Sequence, residues 1–169
     1  MHIDYRLEQS VLGWLLLAAT ERGVCLLMVD DSKDALLEEL AKRFPQAQLN
    51  PQEDGLRAPV QSLVDWLAGR APQPQLPLDE QGTAFQRRVW QELRRIPCGE
   101  QIAYGELARR IGQPTAVRAV AGACARNPVA LLTPCHRVVR QNGELGGYRW
   151  GVERKRRLLA MEQGSQGKG

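Results

Sequence analysis

Between residues 71 and 77 the chain reads Ala-Pro-Gln-Pro-Gln-Leu-Pro, and prolines this dense stop both a helix and a central strand. The segment is therefore a linker or an edge-strand crossing. It divides the 169 residues into parts of opposite character: residues 1–80 hold 7 Lys/Arg against 13 Asp/Glu, a net of −6, and residues 81–169 hold 16 against 6, a net of +10. We expect an α/β protein in two parts, a small mixed α/β supporting unit with a β-sheet over residues 1–79 and a mostly helical unit over 80–169. An acidic half joined to a basic one suits a nucleic-acid binder with a separate support. The plainer alternative is a solvated basic surface.

In the first half, Val11 to Ala19 and Gly23 to Val29 read as apolar strands around the turn Thr20-Glu21-Arg22-Gly23. Asp34 to Phe44 has helical spacing, with Asp31 or Ser32 as cap, and Pro59 to Ala68 reads as a second helix ended by Gly69. The apolar runs here, Val24 to Val29 among them, are the size of strands and far short of a bilayer span. Cys25, Cys98, Cys124 and Cys135 form no Cys-x-x-Cys, and His2 and His136 are the only histidines. These counts point to a reduced, cytosolic protein with no metal, no cofactor and no membrane association.

The second half is denser in signals. Thr83 caps a helix in which Phe85, Val89, Trp90, Leu93 and Ile96 recur at helical spacing up to Pro97. Tyr104 to Ile111 reads as a short helix, Gly112-Gln113-Pro114 as a turn, and Thr115 as the cap of a further helix to about Arg126, together a helix-turn-helix. Ala130 to Val139 reads as a strand and Gly146-Gly147-Tyr148 as a flexible loop. Val152 to Glu162 reads as a last, basic helix, with a frayed tail over Gly164 to Gly169.

Two places carry chemistry. The helix from Thr115 to Arg126 is built of small residues, Ala116, Ala119, Ala121, Gly122 and Ala123, around Arg118. Such a backbone can approach another helix or a DNA groove closely. The second place is Pro134-Cys135-His136-Arg137-Val138. Cys135 is either a buried strand cysteine or a nucleophile with a base beside it. Adjacent strand residues point to opposite faces, so pairing Cys135 with His136 needs a break, for which Pro134 is placed, or a bridging water. An ordinary thiol is only about 3% ionised at neutral pH, so a nucleophile here must be activated.

That pentapeptide resembles the active-site signature of the O6-alkylguanine-DNA alkyltransferases, the methylated-DNA–protein-cysteine methyltransferases. Gly82-Thr83-Ala84-Phe85-Gln86, Ile96-Pro97-Cys98-Gly99-Glu100, Tyr104, Ala116-Val117-Arg118-Ala119-Val120 and Gly147-Tyr148-Arg149-Trp150-Gly151 resemble further family segments in the same order. The likeness is strong over residues 80–162 and is greatest to the C-terminal domain of Ada-type proteins.

The resemblance implies direct-reversal DNA repair. An irreversible, single-turnover transfer would move the alkyl group of O6-alkylguanine, or of O4-alkylthymine, to the thiol of Cys135. His136 would act as base through a water, oriented by Glu162. Tyr104 would assist nucleotide flipping and protonate the leaving base. Arg118 would replace the extruded base in the stack, with Thr115, Ala119, Gly122 and Arg126 on the same minor-groove DNA face. Asn127 and Pro134 would order the turn, and Val138, Gly147, Tyr148 and Arg149 would line the base pocket. The resemblance also implies a winged-helix-like arrangement around the helix-turn-helix, a monomer and a partner in double-stranded DNA. Two other readings stand beside it, a non-catalytic damage-binding module and a Cys–His hydrolase.

Overall fold

The computed structural model describes residues 1–52 and 54–166. The chain divides into two compact units, Met1–Glu80 and Gln81–Gly169.

In the first unit, β1 (His2–Ser10), β2 (Gly13–Thr20) and β3 (Gly23–Asp30) form an antiparallel meander, and β4 (Gln48–Pro51) adds to β1 in parallel, giving the order β3-β2-β1-β4. β1 and β4 were not among the expected strands. α1 (Lys33–Arg43) starts at Ser32, whose hydroxyl accepts from Ala35 N, and it packs against β3 and β2 through Leu36 and Leu40. α2 (Arg57–Leu67) covers β1 and buries Val60, Leu63, Trp66 and Leu67. Each such side chain contributes roughly 1.5–3 kcal/mol by leaving water.

The end of the proline-rich segment reaches the edge of this sheet at β3. Val24 N donates to Pro77 O at 2.8 Å, Asp79 N donates to Val24 O at 2.8 Å, and Leu78 forms a parallel bridge with Val24. Of the two readings of that segment, the structure takes the edge-strand crossing. Gly23, at φ +153°, permits the approach, since a Cβ there would lie 2.5 Å from Pro77 O.

The second unit contains α3 (Ala84–Leu93), β5 (Ile102–Ala103), α4 (Tyr104–Arg110), α5 (Val117–Ala125), a 3-10 turn (Cys135–Arg137), β6 (Val138–Val139) and α6 (Val152–Gln166). α3 begins with a capping box: Thr83 Oγ1 accepts from Gln86 N, and Thr83 N donates to Gln86 Oε1. α4 and α5 form the expected helix-turn-helix. α4 ends with Gly112 at φ +77°, where Gly112 N donates to Arg109 O and Gln113 N to Ala108 O, a Schellman closure that redirects the chain into α5. Thr115 lies in the turn and does not cap α5, because the helix starts two residues later behind Ala116 with no side-chain cap. Val89, Trp90, Leu93, Leu107, Val120, Ala123 and Val138 make the core. Trp90 Nε1 donates to Ala123 O at 2.9 Å and locks α3 to α5.

The expected strand over 130–139 is replaced by turns, with β6 alone extended. Its apolar residues are buried as a strand's would be, but Leu131 takes φ +73° and Pro134 sits at φ −84°, ψ 66°. With Cys135 N donating to Thr133 O at 2.9 Å, Pro134 forms an inverse γ-turn. α6 continues to Gln166, so Gly164 to Gln166 are helical, and the rest of the tail expected to fray, residues 167–169, lies outside the described residues. Among the described residues no helix is long and apolar enough to cross a membrane, and no cluster of His, Cys, Asp and Glu could hold a metal ion.

Candidate active site

Asn127 organises the approach to Cys135. Its N–H donates to Cys124 O at the end of α5, its Oδ1 accepts from Val129 N at 3.0 Å, and its Nδ2 donates to Thr133 O at 2.7 Å and to Cys135 Sγ at 3.4 Å. Through its backbone N–H and its side chain together, this one residue ties the last turn of α5 to the γ-turn at Pro134 and to the sulfur itself.

Cys135 occupies the wall of a cavity of about 600 Å³, within the usual size range of a small-molecule site. Tyr104 and Arg118, predicted from sequence, line it, as do Gly147, Tyr148 and Arg149; Cys124, Ala121 and Arg140 join them. Arg118, Ala119 and Arg126 are exposed on α5 and its end, and Arg118, Ala119, Gly122 and Arg126 line an adjoining groove with Thr83, Phe85 and Gln86. Thr115 is exposed in the turn that precedes α5. Val138 is fully buried in the core, beneath the loop that carries Gly147.

The two residues that follow the cysteine belong to a buried ionic cluster. His136 Nε2 is 3.0 Å from Glu162 Oε2, and neither side chain is more than 1% exposed. Arg137 grips the same carboxylate, with Nη2 at 2.6 Å from Oε2 and Nε at 3.1 Å from Oε1, and donates Nη1 to Ile96 O at 2.7 Å. Burial pushes the Glu162 carboxyl up, but the hydrogen bonds and charges of His136 and Arg137 prevail and hold it at about 2. Glu162 is therefore ionised and can only accept. His136 Nε2 must carry the proton, and since burial lowers the imidazole pKa, the ring is neutral with its lone pair on Nδ1. Nδ1 is buried and has no hydrogen-bond partner among the described residues.

Cys135 meets opposing effects. Burial pushes its thiol pKa up, while the Asn127 N–H and the positive charges of Lys155 and Arg149 pull it down. Lys155 is completely buried on α6, and its Nζ donates to Val138 O at 2.7 Å and to Gly147 O at 3.2 Å, pinning the glycine loop to β6. Tyr104 is held at about 12 by burial and by the nearby Cys124 and Cys135, so its hydroxyl keeps its proton at neutral pH. The Tyr148 ring meets His136 edge-on, with centroids 6.4 Å apart. Burial raises the thiols of Cys25, Cys98 and Cys124 as well.

Sequence reasoning brought Cys135, His136, Glu162, Tyr104, Arg118 and Asn127 forward, and the structure gathers them in this one unit. It passed over Lys155 and gave Arg137 no role. Both are basic residues in basic surroundings, and nothing in their spacing distinguishes a buried cation from a solvated one.

Comparison with known proteins places this geometry. The family model described as 6-O-methylguanine DNA methyltransferase, DNA binding domain, matches residues 84–164. The chain is 51% identical over 160 residues to the regulatory protein ada of Salmonella typhimurium, covering 95% of this chain and 45% of that protein, so it spans just under half the length of that relative. It is 39% identical over 162 residues to the methylated-DNA–protein-cysteine methyltransferase of Mycolicibacterium paratuberculosis, covering 95% of this chain and 93% of that one. Its fold superposes on Mycobacterium tuberculosis OGT in complex with DNA with a TM-score of 0.82 at 36% identity, over 96% of this chain and 94% of that chain. Similarity of this extent, along the whole chain and through the Cys135 site, shows that the chain belongs to the methylated-DNA–protein-cysteine methyltransferase family.

Proposed function

We propose that this protein repairs O6-alkylguanine in double-stranded DNA by taking the alkyl group onto Cys135. The observation that carries this reading is that Cys135 lines a cavity shared with Tyr104 and Arg118, while the next residue, His136, is buried against Glu162. In a duplex the alkylated oxygen faces inward, so the nucleotide must leave the stack before a thiolate can reach it. α5 enters the minor groove with its small residues against the duplex, and Arg118 fills the gap left by the base.

His136 Nδ1, the basic nitrogen left once Nε2 donates to Glu162, accepts the Cys135 proton through a water. The developing imidazolium is stabilised by Glu162, as in other nucleophile–base–acid arrangements. The Sγ–C bond forms as the C–O6 bond breaks, the departing guanine takes a proton from the Tyr104 hydroxyl, and the proton held on His136 returns through water to restore Tyr104 and leave the imidazole neutral. Lys155 and the Asn127 N–H lower the cost of the thiolate. The product is an S-alkylcysteine that nothing in the site can cleave, so the reaction is stoichiometric; one chain holds the whole of the proposed site, which suits a monomer. Within the family, the 51% identity to the Salmonella typhimurium ada protein supports kinship with the alkyl-accepting portion of Ada-type proteins.

The test is intact-mass spectrometry after mixing equimolar protein and a duplex carrying one O6-methylguanine. Addition of one methylene, mapped to Cys135 and absent in Cys135→Ala, supports the reading. An unchanged mass with the duplex bound and its methyl group intact overturns it and leaves a damage-binding module.

A further inference from the structure

The cavity presents three arginines, Arg118, Arg140 and Arg149, and the repair reading gives Arg140 no part. Its backbone is fixed in a tight turn: Arg140 N donates to Glu144 O at 2.8 Å, Gly143 N to Arg140 O at 2.9 Å, and Glu144 N to Asn142 Oδ1 at 3.0 Å. The stem of its side chain runs past Gly146, at φ +74°, where a Cβ would be 3.4 Å from Arg140 Cγ and 3.6 Å from Tyr104 Cε2. The head of the side chain is loosely held. Arg140 Nη1 is 3.7 Å from Glu144 Oε2, beyond hydrogen-bond range, and the two side chains are 62% and 65% exposed. An ion pair this open contributes little and exchanges readily.

Building on the proposed function, we propose that Arg140 is a phosphate clamp for the extruded nucleotide, and that Glu144 is the counter-charge it gives up when DNA binds. A nucleotide turned into this cavity brings its own phosphates to the rim, where a guanidinium forms a charge-assisted contact stronger than the loose pair with Glu144. Glu144, left facing the backbone, repels it, so the two residues act in opposite senses on affinity. Arg118 and Arg140 thereby divide the work: one fills the stack, the other holds the displaced backbone.

The experiment measures binding to a duplex with one O6-methylguanine over a range of salt concentrations, in a Cys135→Ala background so that the lesion persists. Arg140→Ala should weaken binding about fivefold and reduce the slope of log affinity against log salt by about 0.9, the value for one lost phosphate contact. Arg140→Lys should keep the slope, and Glu144→Gln should tighten binding. A duplex with neutral methylphosphonates flanking the lesion should bind the Arg140→Ala protein as well as the parent. An unchanged slope in Arg140→Ala, or weaker binding in Glu144→Gln, overturns the inference. Wild-type protein is tested in parallel for methyl transfer: no transfer overturns the proposed function and the clamp with it, whereas transfer with an unchanged Arg140→Ala slope overturns the clamp alone.

Discussion

Replacing Glu162 by Gln keeps the shape of a buried side chain and removes its charge. Glu162 is 1% exposed, and its partners His136 and Arg137 are equally enclosed. The carboxyl titrates at about 2 in the fold, because the hydrogen bonds and charges of those partners outweigh burial, against 4.5 in an unfolded chain. The carboxylate therefore contributes stability that is complete above about pH 4.5 and is lost as pH falls through about 2. At about 1.36 kcal/mol per unit, that gap amounts to roughly 3 kcal/mol. Breaking a buried ion pair by removing one partner costs about 3–5 kcal/mol, so two independent routes agree on the size. In urea unfolding at pH 7, Glu162→Gln should lose roughly 3 kcal/mol. The wild-type and variant curves should converge as pH is lowered from 4.5 to 2. His136, whose pKa burial lowers, adds a loss of stability that begins near 6.5, above this window. A Gln variant that loses stability as steeply as wild type between pH 4.5 and 2 would refute the assignment of Glu162 as the anion of this cluster.

Lys155→Met removes the donor to the Val138 and Gly147 carbonyls and the charge that favours the thiolate. Stability should fall by about 1–3 kcal/mol in urea, and the pH midpoint for alkylation of Cys135 by iodoacetamide should move upward; an unmoved midpoint would show that Lys155 only braces the loop. Gly23→Ala forces a Cβ to 2.5 Å from a backbone oxygen, so it should cost more than about 2 kcal/mol. Gly69→Ala, at φ +76° with open space around it, should cost about 1 kcal/mol; equal losses in the two would refute the close packing of residues 77–78 on β3.

The parts legible in the sequence are those governed by local rules. Ser32 and Thr83 cap where their hydroxyls predict, and the helical spacing of Val89, Trp90 and Leu93 leads to the buried face of α3. β1 was legible as well: Ile3, Tyr5 and Leu7 alternate with Asp4, Arg6 and Glu8, the period of a half-buried strand, yet apolar run length drew the eye to β2 and β3 instead. β4 was not legible, because four residues have too little pattern and their pairing with β1 spans more than forty residues of chain. The segment before Cys135 misled for a physical reason. Its burial comes from packing in turns, stabilised by the Asn127 side chain, and the positive φ of Leu131 is paid for by contacts that no local pattern encodes. Cys135 and His136 were found through their residue types, whereas Arg137 and Lys155 became visible only when burial could be measured.

Lys155 and Glu162 stand seven residues apart, two turns of α6 and so one face of it, and that face supplies both the cation near the thiol and the anion behind the imidazole. Synthesis runs from the N-terminus, so the ribosome completes α5 and Cys135 before either of these residues exists. During that interval the sulfur is an ordinary thiol, with its histidine unoriented and its counter-charge missing. The last helix therefore brings the cation and the anion of the site into place together, after the segment that carries the cysteine has been made.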